Sequence, residues 1–318
     1  MPSSTTPGQL SPDHYVADLE ETPLKAVDAV DESEKPRSSA RDAWDSMRTR
    51  PLFWISGVLI VLVIVIALFP GLFTHVSPQT NSLSNSNAGA RSGHPLGFTF
   101  QGYDVFSRVI YGTRASLLVG ILATVLVTVV GVVIGSLAGY YGGWLDAVVS
   151  RIGDIFFSIP TVLGAIVVMS TITDRNPLTV ALILALFAWP QIARIMRGSV
   201  ISATATDYVM ASTALGVSRF RILLRHVVPN AIAPVIVVAT VSLGTFIVAE
   251  STLSFLGIGL PGTTVSWGGD IDNARTTLRT APLPLFWPAA ALSITVLSFL
   301  MMGDVVRDAL DPKARARR

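Results

Sequence analysis

Groups able to do chemistry are few and scattered in this chain. Its four histidines (His14, His75, His94 and His226) lie far apart with no ligand spacing, and cysteine is absent. Disulfides, thiolate metal sites and cysteine nucleophiles are therefore excluded. No GxxxxGK[ST] stretch exists to cradle nucleotide phosphates, and no HExxH motif or carboxylate pair falls within an apolar run. The sequence thus predicts no catalytic residue, no metal ligand set and no cofactor bound by this chain.

Three features remain. Glu250 stands only five residues from the end of an apolar run. A carboxylate at mid-bilayer costs about 2.5–3.5 kcal/mol, so it is retained either to anchor a loop or to face a pathway. Small residues recur at Ser116, Gly120, Thr124, Thr128, Gly131, Gly135 and Gly139, a spacing of 4, 4, 4, 3, 4 and 4 that puts all seven on one helical face. Such a stripe either lets helix backbones approach closely within this chain or lines a pathway together with a partner. The third feature is the stretch TDYVMASTALGVSRFRILLRHVVPN at 206–230. Thr206 or Asp207 is placed to cap a short helix running through Tyr208, Met210, Ala211, Ser212 and Leu215. Gly216 supplies a left-handed end, Ser218 is placed to cap a second helix, and Pro229-Asn230 breaks the chain again. Such a helix either inserts Tyr208, Met210 and Leu215 into a partner's groove or lies on lipid headgroups near its arginines.

The elements that must position these residues are membrane spans. Of 318 residues, 51% are hydrophobic and 14% charged, and the mean hydropathy is +0.58. A soluble domain carries roughly a quarter charged residues. Six apolar stretches approach the ~20 residues that cross hydrocarbon: 52–69, 115–138, 155–173, 177–192, 231–255 and 285–302. Asn176 and Pro177 suit an N-cap and first turn. With the N-terminus cytoplasmic, inner segments after the tail carry 11 Lys and Arg against 6 in the outer loops, which predicts both termini inside. Trp54, Trp189 and Trp287 fall near the expected span ends, as in an aromatic belt. The fold class expected is an all-α membrane protein with six transmembrane helices. Its organisation is a disordered acidic tail at 1–51, a first span at 52–71, an outer loop at 72–114, and a five-helix core at 115–303. The core holds an inner loop at 194–229, and a basic tail follows at 304–318.

At the inner loop the sequence resembles the permease subunits of binding-protein-dependent ABC importers, whose signature is EAA, three residues, Gly, nine residues, then I-x-L-P. Met210-Ala211-Ser212 stands at EAA, Gly216 at the glycine and Val228-Pro229 at the close. Further blocks at 94–120, 250–271 and 303–312 resemble the C-type permease of dipeptide and oligopeptide (and nickel) importers. The resemblance implies the type I importer transmembrane domain in a bacterial inner membrane. It implies a second, related permease chain, two ABC ATPase subunits carrying ATP and magnesium, and an extracytoplasmic solute-binding protein, with no nucleic acid. It makes the segment at 206–216 the coupling element that enters the ATPase, with Asp207, Tyr208, Met210, Ala211, Ser212, Leu215, Gly216 and Pro229 as its residues. Met210 replaces the family glutamate, which shifts the contact toward apolar burial. In the outer loop Tyr103 replaces a family arginine, and the tryptophan of SWGGDI at 266–271 reads as an interfacial anchor. Competing readings are import of nickel or another small solute, an ion-coupled secondary transporter using Glu250, and a non-transporting scaffold.

Overall fold

A computed structural model describes residues 39–310. The described residues are helical apart from turns and three isolated bridges. The first helix, α1, is Ser39–Arg48, so residues 39–48 of the tail expected to be disordered at 1–51 are helical, and residues 1–38 lie outside the described part. From Ala43 to Leu310 the described residues form one compact unit. The long apolar helices are α2 (Pro51–Leu68), α3 (Val105–Tyr141), α6 (Pro177–Thr204), α10 (Ala233–Phe255) and α12 (Leu283–Leu310). Each matches an expected span, yet α3 starts ten residues early and α6 runs twelve residues past 192. Asp104 explains the first extension, since its carboxylate accepts from the Ser107 N–H at 2.6 Å and caps α3, ending the outer loop at 104 rather than 114. The polar half of α6 extends the second, so Trp189 lies mid-helix rather than at a span end. Helix α12 reaches Leu310, and residues 311–318 fall outside the described part.

The third expected span is not one rod. It divides into α4 (Gly143–Phe157) and α5 (Thr161–Ser170), bent by 80°. Pro160 lacks an N–H and pushes Ile159 out of the α region, so the helix cannot run through. Asn176 caps α6 as expected, its Oδ1 accepting from the Thr179 N–H at 3.0 Å.

The small-residue stripe is the main packing seam. A Cβ on Gly131 would sit 2.6 Å from Ile192, and one on Gly139 2.8 Å from the Arg197 carbonyl, both on α6. One on Gly135 would strike the Ala193 carbonyl, and one on Gly120 would meet Ile247 of α10 at 2.5 Å. Without side chains at these positions, α3 lies directly against both helices, a small-residue contact typical of membrane bundles. The first span is no outlier to the core: Val63 and Ala67 pack with Leu117, Ile247, Trp267 and Phe299, and Arg50 pairs with Asp308 of α12.

Candidate functional site

The segment between α6 and α10 contains α7 (Asp207–Ala214), α8 (Arg219–Ile222), a π turn at Leu223–Val227 and α9 (Val228–Ala231). The inner loop is therefore 205–232, not 194–229, because Arg194 and Arg197 belong to α6. Capping differs from expectation. Thr206 Oγ1 donates to the Ala203 carbonyl at 2.6 Å, and neither Thr206 nor Ser218 caps through its side chain. Pro229 does not break the chain either; it occupies the first turn of α9, where its missing N–H costs nothing. Gly216 behaves as its type dictates. At φ +73° it closes α7, with Gly216 N donating to Thr213 O at 3.0 Å and Val217 N to Ser212 O at 3.2 Å.

One side of this segment is buried and the other bare. Val209, Ile222, Leu223 and Val227 join Met196 and Val200 of α6 in the main core. On the opposite side Asp207, Tyr208, Met210 and Ala211 are exposed, and Leu215 is 83% exposed. Ser212 is half-buried and turns its hydroxyl to the Tyr208 carbonyl at 2.8 Å, while Gly216 and Pro229 are exposed. The segment is thus seated on α6 by aliphatic side chains, and its short helix presents an aromatic, thioether and aliphatic surface outward.

Glu250 lies apart from this segment and is fully buried. Ser254 Oγ donates to its Oε1 at 2.8 Å and Ser251 Oγ to its Oε2 at 3.2 Å. Ser116 of α3 hydrogen-bonds the same carboxyl. Ser254 Oγ in turn accepts from the Leu260 N–H at 3.1 Å. The carboxyl therefore ties α10 to α3 and to the turn after it.

At the other end of the bundle, sequence reasoning misses a second construction. Helix α11 (Trp267–Arg275) packs against α12, α10 and α3. Trp267 is 1% exposed and donates its indole N–H to the Val109 carbonyl at 3.0 Å, so it is a buried wedge rather than an interfacial anchor. Arg108 Nε donates to Asp270 Oδ1 at 2.6 Å and its NH1 to the Pro78 carbonyl at 3.2 Å. Burial pushes the Asp270 carboxyl up, against the lowering influence of Arg108. Tyr103 receives the Arg108 guanidinium over its ring at 4.7 Å, and Asp104 pairs with His94 at 2.6 Å.

A bundle of apolar helices with a short helix projecting between two spans defines a class, the membrane component of a transport system. The family model described as "Binding-protein-dependent transport system inner membrane component" matches residues 131–316, and the chain belongs to that family. A second model, the N-terminal transmembrane domain of oligopeptide transport permease C, matches residues 38–90. The oligopeptide transport system permease protein OppC of Bacillus subtilis (strain 168) is 35% identical over 93% of this chain and 97% of its own. The dipeptide permease DppC of Alkalihalophilus pseudofirmus is 36% identical over 87% of this chain and 90% of its own. The glutathione permease GsiD of Escherichia coli O157:H7 is 34% identical over 88% and 92%. The chain is accordingly a multi-pass inner-membrane permease subunit of an ABC importer.

Proposed function

We propose that this permease imports di- and oligopeptides, and that α7 is the lever through which partner ATPases drive it. Three relatives named for oligopeptide, dipeptide and glutathione transport support the cargo reading. The single observation that carries the lever is its two-sidedness: Val209 and Ile222 anchor it in the core while Tyr208, Met210 and Leu215 stand in the open. A helix on lipid headgroups would use its arginines, yet none lies on α7 itself.

In this reading α7 and both termini face the cytoplasm. A second, related permease completes the pathway, two ABC subunits bind and hydrolyse ATP with magnesium, and a solute-binding protein delivers peptide from outside. ATP binding closes the ATPases and displaces α7. Because Val209, Leu223 and Val227 pack against α6, the push tilts packed helices as rigid bodies instead of fraying one loop. Met210 and Leu215 contribute mainly by apolar burial, at ~25 cal/mol per Å².

Leu215→Glu tests the lever. Reconstituted with its partners, the variant is expected to assemble and keep a basal ATPase rate while losing uptake by about ten-fold, since a charge enters an apolar contact. Uptake equal to the parent, with normal assembly, contradicts the role given to α7.

A further inference from the structure

Two acid–base pairs join α4 to α6, and they are built differently. Arg197 grips Asp146 with two nitrogens, Nε on one carboxylate oxygen and NH2 on the other at 2.6 Å, with side chains 35% and 22% exposed. Arg194 gives Asp154 a single bond, NH2 to Oδ1 at 2.9 Å, and these side chains are 61% and 53% exposed. The first is a pin that fixes two helices. The second is a loosely held charge, and an exposed single-bond pair contributes little to stability.

The second pair lies on a spanning helix. Arg194 stands 17 residues beyond Pro177, about 26 Å along a helix of about 42 Å, and Gln191 about 21 Å along it. A charge on the exposed side of such a helix faces water or protein rather than lipid. The exposed surface of α6 changes character accordingly. Its first half shows Leu178, Leu182 and Leu186, whereas its second half shows Gln191, Arg194, Gly198 and Ser202, spaced 3, 4 and 4 on one face, with Ile201 beside them. Two clefts flank this face where the third span bends. One, of about 60 Å³, holds Ser150, Phe157 and Trp189 beside Arg194. The other, of about 170 Å³, is lined by Phe156, Ile159, Thr161 and Phe187 beside Gln191. Arg194 also lies 4.2 Å above the Phe157 ring, which holds the guanidinium in place while leaving its other N–H groups free for an acceptor.

We infer that the elbow between α4 and α5 and the facing surface of α6 form this chain's wall of the transport pathway. Arg194 there exchanges Asp154 for the C-terminal carboxylate of a peptide in transit. The carboxylate takes the planar fork of the guanidinium, Gln191 serves the peptide amides, and the aromatic clefts take an apolar side chain. This assignment rests on the peptide reading above.

The absence of cysteine from this chain makes the test direct. Gly198→Cys is placed in the complete transporter in lipid nanodiscs, with Leu182→Cys as a lipid-facing control, and labelled with a membrane-impermeant maleimide read by mass on this subunit. The expected result is labelling at 198 and none at 182. Trialanine at about 10 mM is expected to slow labelling at 198 roughly ten-fold for a site of millimolar Kd, trialanine amide is not, and Arg194→Gln abolishes the protection. Silence at 198 in the assembled transporter puts this face against another chain and overturns the inference. Protection that is absent, equal for both peptides or indifferent to Arg194→Gln overturns it too. Uptake of trialanine by the parent transporter with its binding protein, measured separately, keeps the peptide reading standing when the labelling fails. Its absence removes that reading and the inference with it.

Discussion

Arg108 and Asp270 stand 162 residues apart, yet together they fasten the long loop and α11 to the start of α3. Asp270 Oδ2 has no partner among the described residues, so the arginine is all that compensates its charge. Arg108→Ala is expected to lower stability by about 3–5 kcal/mol, the penalty for an abandoned buried charge. Thermal unfolding in detergent measures it, and the double variant with Asp270→Ala is expected to recover part of the loss. No sequence pattern joins residues so distant, and the pair was not legible in advance. Trp267 was misleading for a related reason: a tryptophan near a span end suits an interface, and only the Val109 carbonyl and the room left by Gly112 show it to be a wedge. The glycine stripe was legible because helical periodicity alone puts small residues on one face, whatever that face meets.

Among the elements, α7 was the most readable because its end is written in one residue. Gly216 takes a positive φ that an L side chain adopts at a cost of about 1–2 kcal/mol. A Cβ there would meet nothing within 4 Å, so the strain is purely conformational. Gly216→Val is therefore expected to loosen the end of α7 and reduce uptake while leaving the bundle's unfolding temperature nearly unchanged. A large drop in that temperature would mean that Gly216 serves packing rather than lever geometry. The break in the third span was harder to read. The run 155–173 is apolar on average, and averaging hides what Pro160 does locally. The π turn at Leu223–Val227 left no signal of its own, since Leu, Arg and Val serve an ordinary helix equally well.

For the whole molecule, hydropathy located five of the six expected spans as long helices, while the broken third span and the mutual arrangement of all of them required the contacts. The first span shows the difference. A long loop predicts a detached helix, yet Val63 and Ala67 sit in a shared cluster with Leu117 and Phe299. That cluster joins the first span to α3, α10, α11 and α12. The most direct test places the only thiol of this chain at Leu215→Cys and maps its cross-links in the assembled transporter, with and without ATP. The account predicts cross-links to an ATPase subunit that change in yield with nucleotide. A thiol that reaches only lipid or solvent in a fully assembled, ATP-hydrolysing complex would contradict it.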